Sequence, residues 1–384
     1  MGDYFRPSTM YAWRKHKGKS EPVWEELPVP ATPQDGFLIK ILASGVCHSD
    51  QPLLEIEDRP NFNEKYILVR SHGLDLPSLG LPATLPRAMK DVEKSSRLEK
   101  ESKILVSNWL VHQFTNSGDR VALLAVPGCG LESCTECSRD LSQLCSVGTH
   151  HGIGQDGFYA EYTVVNARAA IPLPEGIPPA VAAVATDAVT TVYHGITRRA
   201  EVKKKETVFL FGLGGLGFNA LQIVRHIGAR VIVSDVRQEK LDAALSLGIP
   251  AGDIVPVGKS IQSFVQEKGL QGKIDTVLDI VGKHQTFEDA QHIVRIGGKI
   301  LCVGTLDRKN EIDMKIGIRK RLSIIFTYGG QQRDLVEVLD LISQKVIQPQ
   351  VELGRLSDFP KVLKDLGTGK IKDRMALVSD LIDP

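Results

Sequence analysis

Residues 207–235 read TVFLFGLGGLGFNALQIVRHIGARVIVSD, and the fold turns on this stretch. Residues 208–211 are an unbroken apolar run, the pattern of a parallel strand buried on both faces. Gly212, Gly214 and Gly217 follow at once as G-x-G-x-x-G. The first permits a tight turn, the second lets backbone approach a pyrophosphate, and the third lets helix and strand pack closely. Gly215, inside the same turn, belongs with them as a cofactor-binding position. The apolar spacing of Leu221, Ile223, Val224 and Ile227 predicts a helix over about residues 216–226, stopped by Gly228, whose first amides face the phosphates. A second strand, residues 231–233, leads into Asp235, 23 residues beyond Gly212. A carboxylate there accepts hydrogen bonds from the adenosine ribose hydroxyls and repels a 2′-phosphate, which favours NAD over NADP.

Working outward, candidate strands at residues 276–280, 299–303 and 323–326 alternate with helical patterns such as KLDAALSLG and TFEDAQHIVRIG. That alternation predicts a doubly wound parallel sheet, with Val303 at a strand end where the cofactor lies. The remainder reads as β structure. Residues 11–45 suggest short strands, with PQDG at 33–36 as a turn and residues 37–43 as an apolar strand. GIGQDGFYAEYTVV reads as a hairpin strand, and Pro172, Pro174, Pro178 and Pro179 mark a boundary before a mostly apolar helix over residues 180–196. Beyond residue 330 come a helix at DLVEVLDLISQ, a strand near residues 349–353, a helix near residues 360–365, and the segment KIKDRMALVSD.

A chain of 384 residues exceeds the usual single core and implies two to three domains. With 47 basic and 46 acidic residues, the net charge of +1 offers no electrostatic footprint for nucleic acid. No apolar run approaches a membrane-spanning length, so no membrane partner is expected. The first twenty residues lack an apolar signal core, and Arg6 breaks the myristoylation pattern. The expectation is a soluble, cytoplasmic protein.

Of the six cysteines, Cys129, Cys134, Cys137 and Cys145 fall within 17 residues. Without a secretory signal, such a cluster points to metal before disulfides, and four thiolates close a tetrahedral, structural zinc site. Reduced cysteines on a loop are the plainer reading. Cys47, His48, Ser49 and Asp50 gather a thiol, an imidazole, a hydroxyl and a carboxylate in four consecutive positions. Zinc chemistry can use all of them, as ligand, proton relay and supporting carboxylate, although a buried cysteine in a polar loop has the same signature. Asp187 stands mid-helix among alanines and valines, a costly place for a carboxylate unless it binds metal or pairs with an arginine.

Together these motifs resemble the zinc-dependent medium-chain alcohol dehydrogenases, of the fungal type, over nearly the whole chain. The resemblance implies a GroES-like β-barrel catalytic domain, residues 1–186 and 331–384, beside a Rossmann domain, residues 187–330, with nicotinamide and catalytic zinc in the cleft between them. It implies that Cys47 and Asp187 ligate the catalytic zinc, that Ser49 begins a proton relay, and that His48 lies near the cofactor pyrophosphate and carries the proton onward. Cys129, Cys134, Cys137 and Cys145 match the structural-zinc lobe, though the first gap is four residues where the family has two. Lys240 and Arg374 match positions holding the cofactor ribose and pyrophosphate. The implied reaction is hydride transfer between an alcohol and NAD, giving an aldehyde or ketone, in a homo-oligomer, dimer or tetramer. Two rivals are an NAD-binding pseudoenzyme with structural zinc only and a zinc-independent quinone-type reductase, the latter disfavoured by Asp235.

One departure stands out. The family's G-H-E motif supplies the second catalytic zinc ligand after the segment equivalent to NFNEKYIL, yet Val69, Arg70 and Ser71 occupy that register here. His72 is the nearest histidine, two positions late and followed by Gly73. The segment from about residue 69 to residue 112, Leu/Pro-rich and then crowded with charges of both signs, reads as a replacement of the family's own strands.

Overall fold

The computed structural model describes residues 7–16, 19, 21–33, 36–51, 65–67, 119–148, 150–152 and 154–381. The anomalous segment and His72 lie outside the described residues. The chain divides into two compact units. One comprises Met1–Ile41, Cys47–Asp119 and Ala125–Ala170, and the other Leu42–Val46, Arg120–Leu124 and Ile171–Pro384.

The second unit is built on a five-stranded, all-parallel sheet. Its order is Arg230–Ser234, Thr207–Phe211, Ile274–Asp279, Val294–Cys302, Ser323–Phe326. Val208, Phe209 and Leu210 are wholly buried, which is why that stretch is a continuous apolar run instead of an alternating one. Phe209, Ile232, Val277 and Ile300 pack with Phe264, Phe287 and Ala290 from the flanking helices into one core cluster. The helix after the glycine turn spans Gly217–Ile227 and ends at Gly228, which takes the left-handed conformation at φ +83°. Sequence and structure agree on its register to one residue.

The expected helix over residues 180–196 is a longer run. It opens at Pro179–Val184, loosens into a π-helical turn over Ala185–Val189, resumes at Thr190–His194 and ends in a second π turn, Gly195–Arg199. Asp187 lies in the first π turn, a local geometry that recurs at functional sites. The C-terminal strand Arg374–Val378 pairs antiparallel with Ala43–Val46 and parallel with Val351–Arg355. Ala376 in that strand packs against Ala180, Val184 and Ala188, so the small residues of the helix serve close approach to the sheet.

In the first unit Thr9–His16 is the middle strand between Val23–Pro28 and Lys65–Ile67. Two expectations are corrected. Residues 37–43 are not one strand: Gly36–Lys40 stops short of Ile41, and Ala43–Val46 belongs to a sheet of the other unit. The hairpin expected at 152–165 does not form either, because Tyr162–Asn166 pairs antiparallel with Gly36–Lys40, more than a hundred residues away. The long-range partner buries Val165 and Thr163, which no local turn would do.

Candidate functional site

The glycine turn is shaped by contacts that leave no room for side chains. A Cβ on Gly217 would stand 1.8 Å from the Gly212 carbonyl oxygen, and Gly212 itself sits at φ +85°. Gly215 presses on Arg374, whose Cγ would lie 2.6 Å from an added Cβ. Asp235, at the end of the neighbouring strand, reaches back over the turn. One carboxylate oxygen accepts from the Leu213 amide at 2.7 Å, and the other accepts from the Arg237 amide at 2.9 Å and the Arg237 Nε at 3.2 Å. Strand, turn, helix and acid therefore meet as one cradle.

Arg374 borders that cradle. Its Nη2 donates to Asp187 Oδ2 at 3.1 Å and its Nη1 to the Val46 carbonyl at 3.4 Å, while its Nε is buried without a hydrogen-bond partner. A buried guanidinium nitrogen left unsatisfied against a glycine turn is what an anionic diphosphate would complete. The residues fit a dinucleotide. Lys240 is buried and bound to Asp373 at 2.5 Å. Val303 follows the strand Val294–Cys302, its amide donating to the Asp279 carbonyl at 3.0 Å. Asp279, 1% exposed, accepts from the amides of Val281 and Gly282 and from the Thr286 hydroxyl; burial outweighs these bonds and holds its carboxyl above the usual range.

Of the two readings made of Asp187, the structure shows the pairing with an arginine. Its carboxylate pairs with Arg374 and accepts from the Thr191 hydroxyl at 3.3 Å, so the buried charge is compensated by an arginine from the same unit.

In the first unit, Cys47, His48, Ser49 and Asp50 form a tight turn, closed by the Asp50 amide donating to the Cys47 carbonyl at 3.0 Å. Cys47 Sγ lies 3.1 Å from Ser49 Oγ. Asp50, 3% exposed, accepts from the Cys47 amide at 2.8 Å and from the hydroxyl of Tyr159 at 2.9 Å. Tyr159 escaped the sequence reading because its partner is 109 positions away.

The four clustered cysteines do converge. Their ligand atoms all lie within 4.8 Å of one another, and among the described residues they are the one group of three or more side chains suited to a metal. Cys129 and Cys137 stand 3.7 Å apart, as do Cys134 and Cys145. Zinc–sulfur bonds of about 2.3 Å in a tetrahedron require sulfur separations of about 3.8 Å, so the residues fit zinc. The extra length of the first gap is absorbed by the turn at residues 130–133, where the Cys134 amide donates to the Leu131 carbonyl at 3.1 Å. Burial pushes the Cys129 thiol up to about 12. Burial acts the same way on Cys145, but the amides of Gly148, Cys129 and Val147 overcome it and bring that thiol down to about 7. Cys145 is thus more readily ionised than Cys129, and a bound cation would favour the thiolate form of the whole set.

These features define a dinucleotide-dependent oxidoreductase carrying a four-cysteine metal lobe. A family model described as zinc-binding dehydrogenase matches residues 215–344, and one described as alcohol dehydrogenase GroES-like domain matches residues 106–175. Among solved structures, the chain is similar to acetophenone reductase from Geotrichum candidum in complex with NAD, at 27% identity and a TM-score of 0.75, covering 97% of this chain and 98% of that one. It shares its fold with the alcohol dehydrogenase of Aeropyrum pernix, at 22% identity and a TM-score of 0.74, covering 96% and 99%. A cobalt- and zinc-bound thermostable alcohol dehydrogenase from Pyrobaculum aerophilum shares it too, at 20% identity and a TM-score of 0.72, covering 96% and 99%. The chain belongs to the zinc-dependent medium-chain alcohol dehydrogenase family, with a GroES-like and a Rossmann-type domain. Among the described residues, no helix is long and apolar enough to cross a membrane.

Proposed function

We propose that this chain transfers a hydride between an alcohol and NAD, giving an aldehyde or ketone. The observation that carries the reading is the cradle of Gly212, Gly215 and Gly217 under Asp235, with the partnerless Nε of Arg374 beside it. Bound NAD would supply the hydride acceptor, and a catalytic zinc, for which the family resemblance names Cys47, Asp187 and His72 as ligands, would supply a Lewis acid for the alcohol oxygen. The chain's own groups do the rest. Amides at the start of helix Gly217–Ile227, together with Arg374, bind the diphosphate, and Asp235 accepts from the adenosine ribose. Ser49 Oγ takes the alcohol proton and His48 passes it outward. Tyr159 and Asp50 hold the turn that presents Cys47 and Ser49.

The Arg374–Asp187 pair favours a second reading. A carboxylate already neutralised by arginine is a poorer metal ligand, and with the G-H-E motif replaced the chain would keep NAD and structural zinc without turnover. Zinc content separates the two. Elemental analysis of purified protein should give two zincs per chain, falling to one in Cys145→Ser. One zinc in the unaltered chain, lost in Cys145→Ser, together with no alcohol-dependent turnover, would support the pseudoenzyme.

The partner we propose beyond substrate and cofactor is a second copy of the chain, in a cytoplasmic setting that keeps all six cysteines reduced. Ser323–Phe326 is the outer strand of the five-stranded sheet, and Phe326 is 70% exposed. The adjacent helix Met314–Lys320 buries none of its residues and exposes Met314 and Ile318. A two-fold axis beside that strand would pair the edge with itself and cover these side chains.

A further inference from the structure

Phe211, Asp279 and Cys302 stand side by side at the carboxyl ends of three neighbouring parallel strands. Open parallel sheets bind ligands at that edge. Two chain segments leave it, residues 280–284 and 303–307, and they are laced together. The amides of Val303 and Gly304 donate to the Asp279 carbonyl at 3.0 and 3.1 Å, that of Leu306 to the Val281 carbonyl at 3.3 Å, and that of Asp307 to the Gly282 carbonyl at 2.9 Å. The Asp307 carboxylate accepts the His284 amide in return, at 2.7 Å. The backbones approach so closely that a Cβ on Gly282 would stand 2.1 Å from the Gly304 carbonyl oxygen. Val281 in turn covers the first glycine of the cradle, its Cγ2 lying 2.7 Å from where a Cβ on Gly212 would stand.

The bend that brings Val281 onto Gly212 is held by the Asp279 side chain. Its Oδ1 accepts the amides of Val281 at 3.1 Å and Gly282 at 2.8 Å, and the Thr286 hydroxyl lies 3.0 and 3.1 Å from the two carboxyl oxygens. At 1% exposure Asp279 is too deep to meet a cofactor itself. Resting on the dinucleotide reading above, we propose that Asp279 is a positioning residue for the cofactor: its carboxylate fixes segment 280–284 and, through the lacing, segment 303–307 as one preformed wall beside the glycine turn. A wall ordered before the dinucleotide arrives spares binding the cost of ordering it. Without the carboxylate, two buried amides lose their acceptor and the bend is released.

Equilibrium binding of NADH to the full chain, followed by nucleotide fluorescence, tests this together with amide hydrogen exchange. Asp279→Ala should weaken NADH by about tenfold, the loss of bonds to a charged acceptor. Exchange in the peptide spanning residues 303–307 should quicken in the same variant, although the substitution lies in the other segment. Asp279→Asn keeps an acceptor oxygen for both amides and should stay within about threefold of the unaltered chain. Asp275, at the opposite end of the same strand, accepts the Thr207 amide at 2.8 Å and pairs with Arg295, so Asp275→Ala disturbs the strand without touching the wall. It should leave NADH affinity within about twofold. If Asp279→Ala does not fold, Thr286→Val decides, with an expected loss of about threefold. Unchanged affinity in Asp279→Ala, an equal loss in Asp275→Ala or in Asp279→Asn, or unchanged exchange at residues 303–307 would overturn the proposal while leaving dinucleotide binding intact; so would unchanged affinity in Thr286→Val where that variant decides. Failure of the unaltered chain to bind NADH would instead overturn the dinucleotide reading, and this inference with it.

Discussion

Single residues set the chemistry through what they exclude as much as through what they contact. Gly217 is required because its Cα lies against the Gly212 carbonyl, where a methyl group has no space. Gly217→Ala should abolish NADH binding at concentrations that saturate the unaltered chain and lower the midpoint of thermal unfolding, as strain of this kind costs on the order of 1–3 kcal/mol. Retained NADH affinity in that variant would mean that the turn does not hold the cofactor. The glycines, Asp235 and the four cysteines were legible because their chemistry depends on local spacing. Arg374 was legible only through family resemblance. Its pairing with Asp187 spans 187 positions, and no periodicity encodes a contact of that kind.

At the scale of elements, the helix carrying Asp187 is tied down by a charge network whose partners lie about 140 positions apart, beyond the reach of any local pattern. His194 meets Asp334 at 2.7 Å, Arg198 meets the other oxygen of Asp334 at 3.0 Å and Glu337 at 2.6 Å, and Tyr193 donates to Glu337 at 2.6 Å. Asp334 is wholly buried and also accepts the Gln331 amide at the start of helix Gln332–Ser343. Burial alone would raise its carboxyl, but His194, the Gln331 amide and Arg198 together hold it below the usual range. A depressed acid stabilises the fold above its unfolded pKa of about 3.9 and loses that contribution as pH falls further. Asp334→Ala leaves an arginine and a histidine without their shared partner, and should cost about 3–5 kcal/mol in denaturant unfolding at neutral pH. A loss under about 1 kcal/mol would show that the network is ornamental to the helix pair. Helix positions themselves were readable from apolar spacing, whereas the two π turns were not, because they follow from packing and capping.

For the whole molecule, the parallel sheet of the second unit was predictable since each strand is an apolar run flanked by a helical period. Strand pairing in the first unit was not, because Gly36–Lys40 with Tyr162–Asn166 closes across most of the N-terminal half. The open edge at Ser323–Phe326 carries the expectation of self-association. Phe326→Asp should halve the mass measured in solution, and an unaltered chain already monomeric at micromolar concentration would contradict the proposed dimer. The central claim, that this molecule is an NAD-linked alcohol dehydrogenase, is tested most directly by the rate of NADH formation when zinc-supplemented protein meets NAD and a panel of primary and secondary alcohols. Alcohol-dependent NADH formation, lost in Gly217→Ala and reduced in Ser49→Ala, is the result the account predicts. NADH binding without turnover on any alcohol of the panel would contradict it.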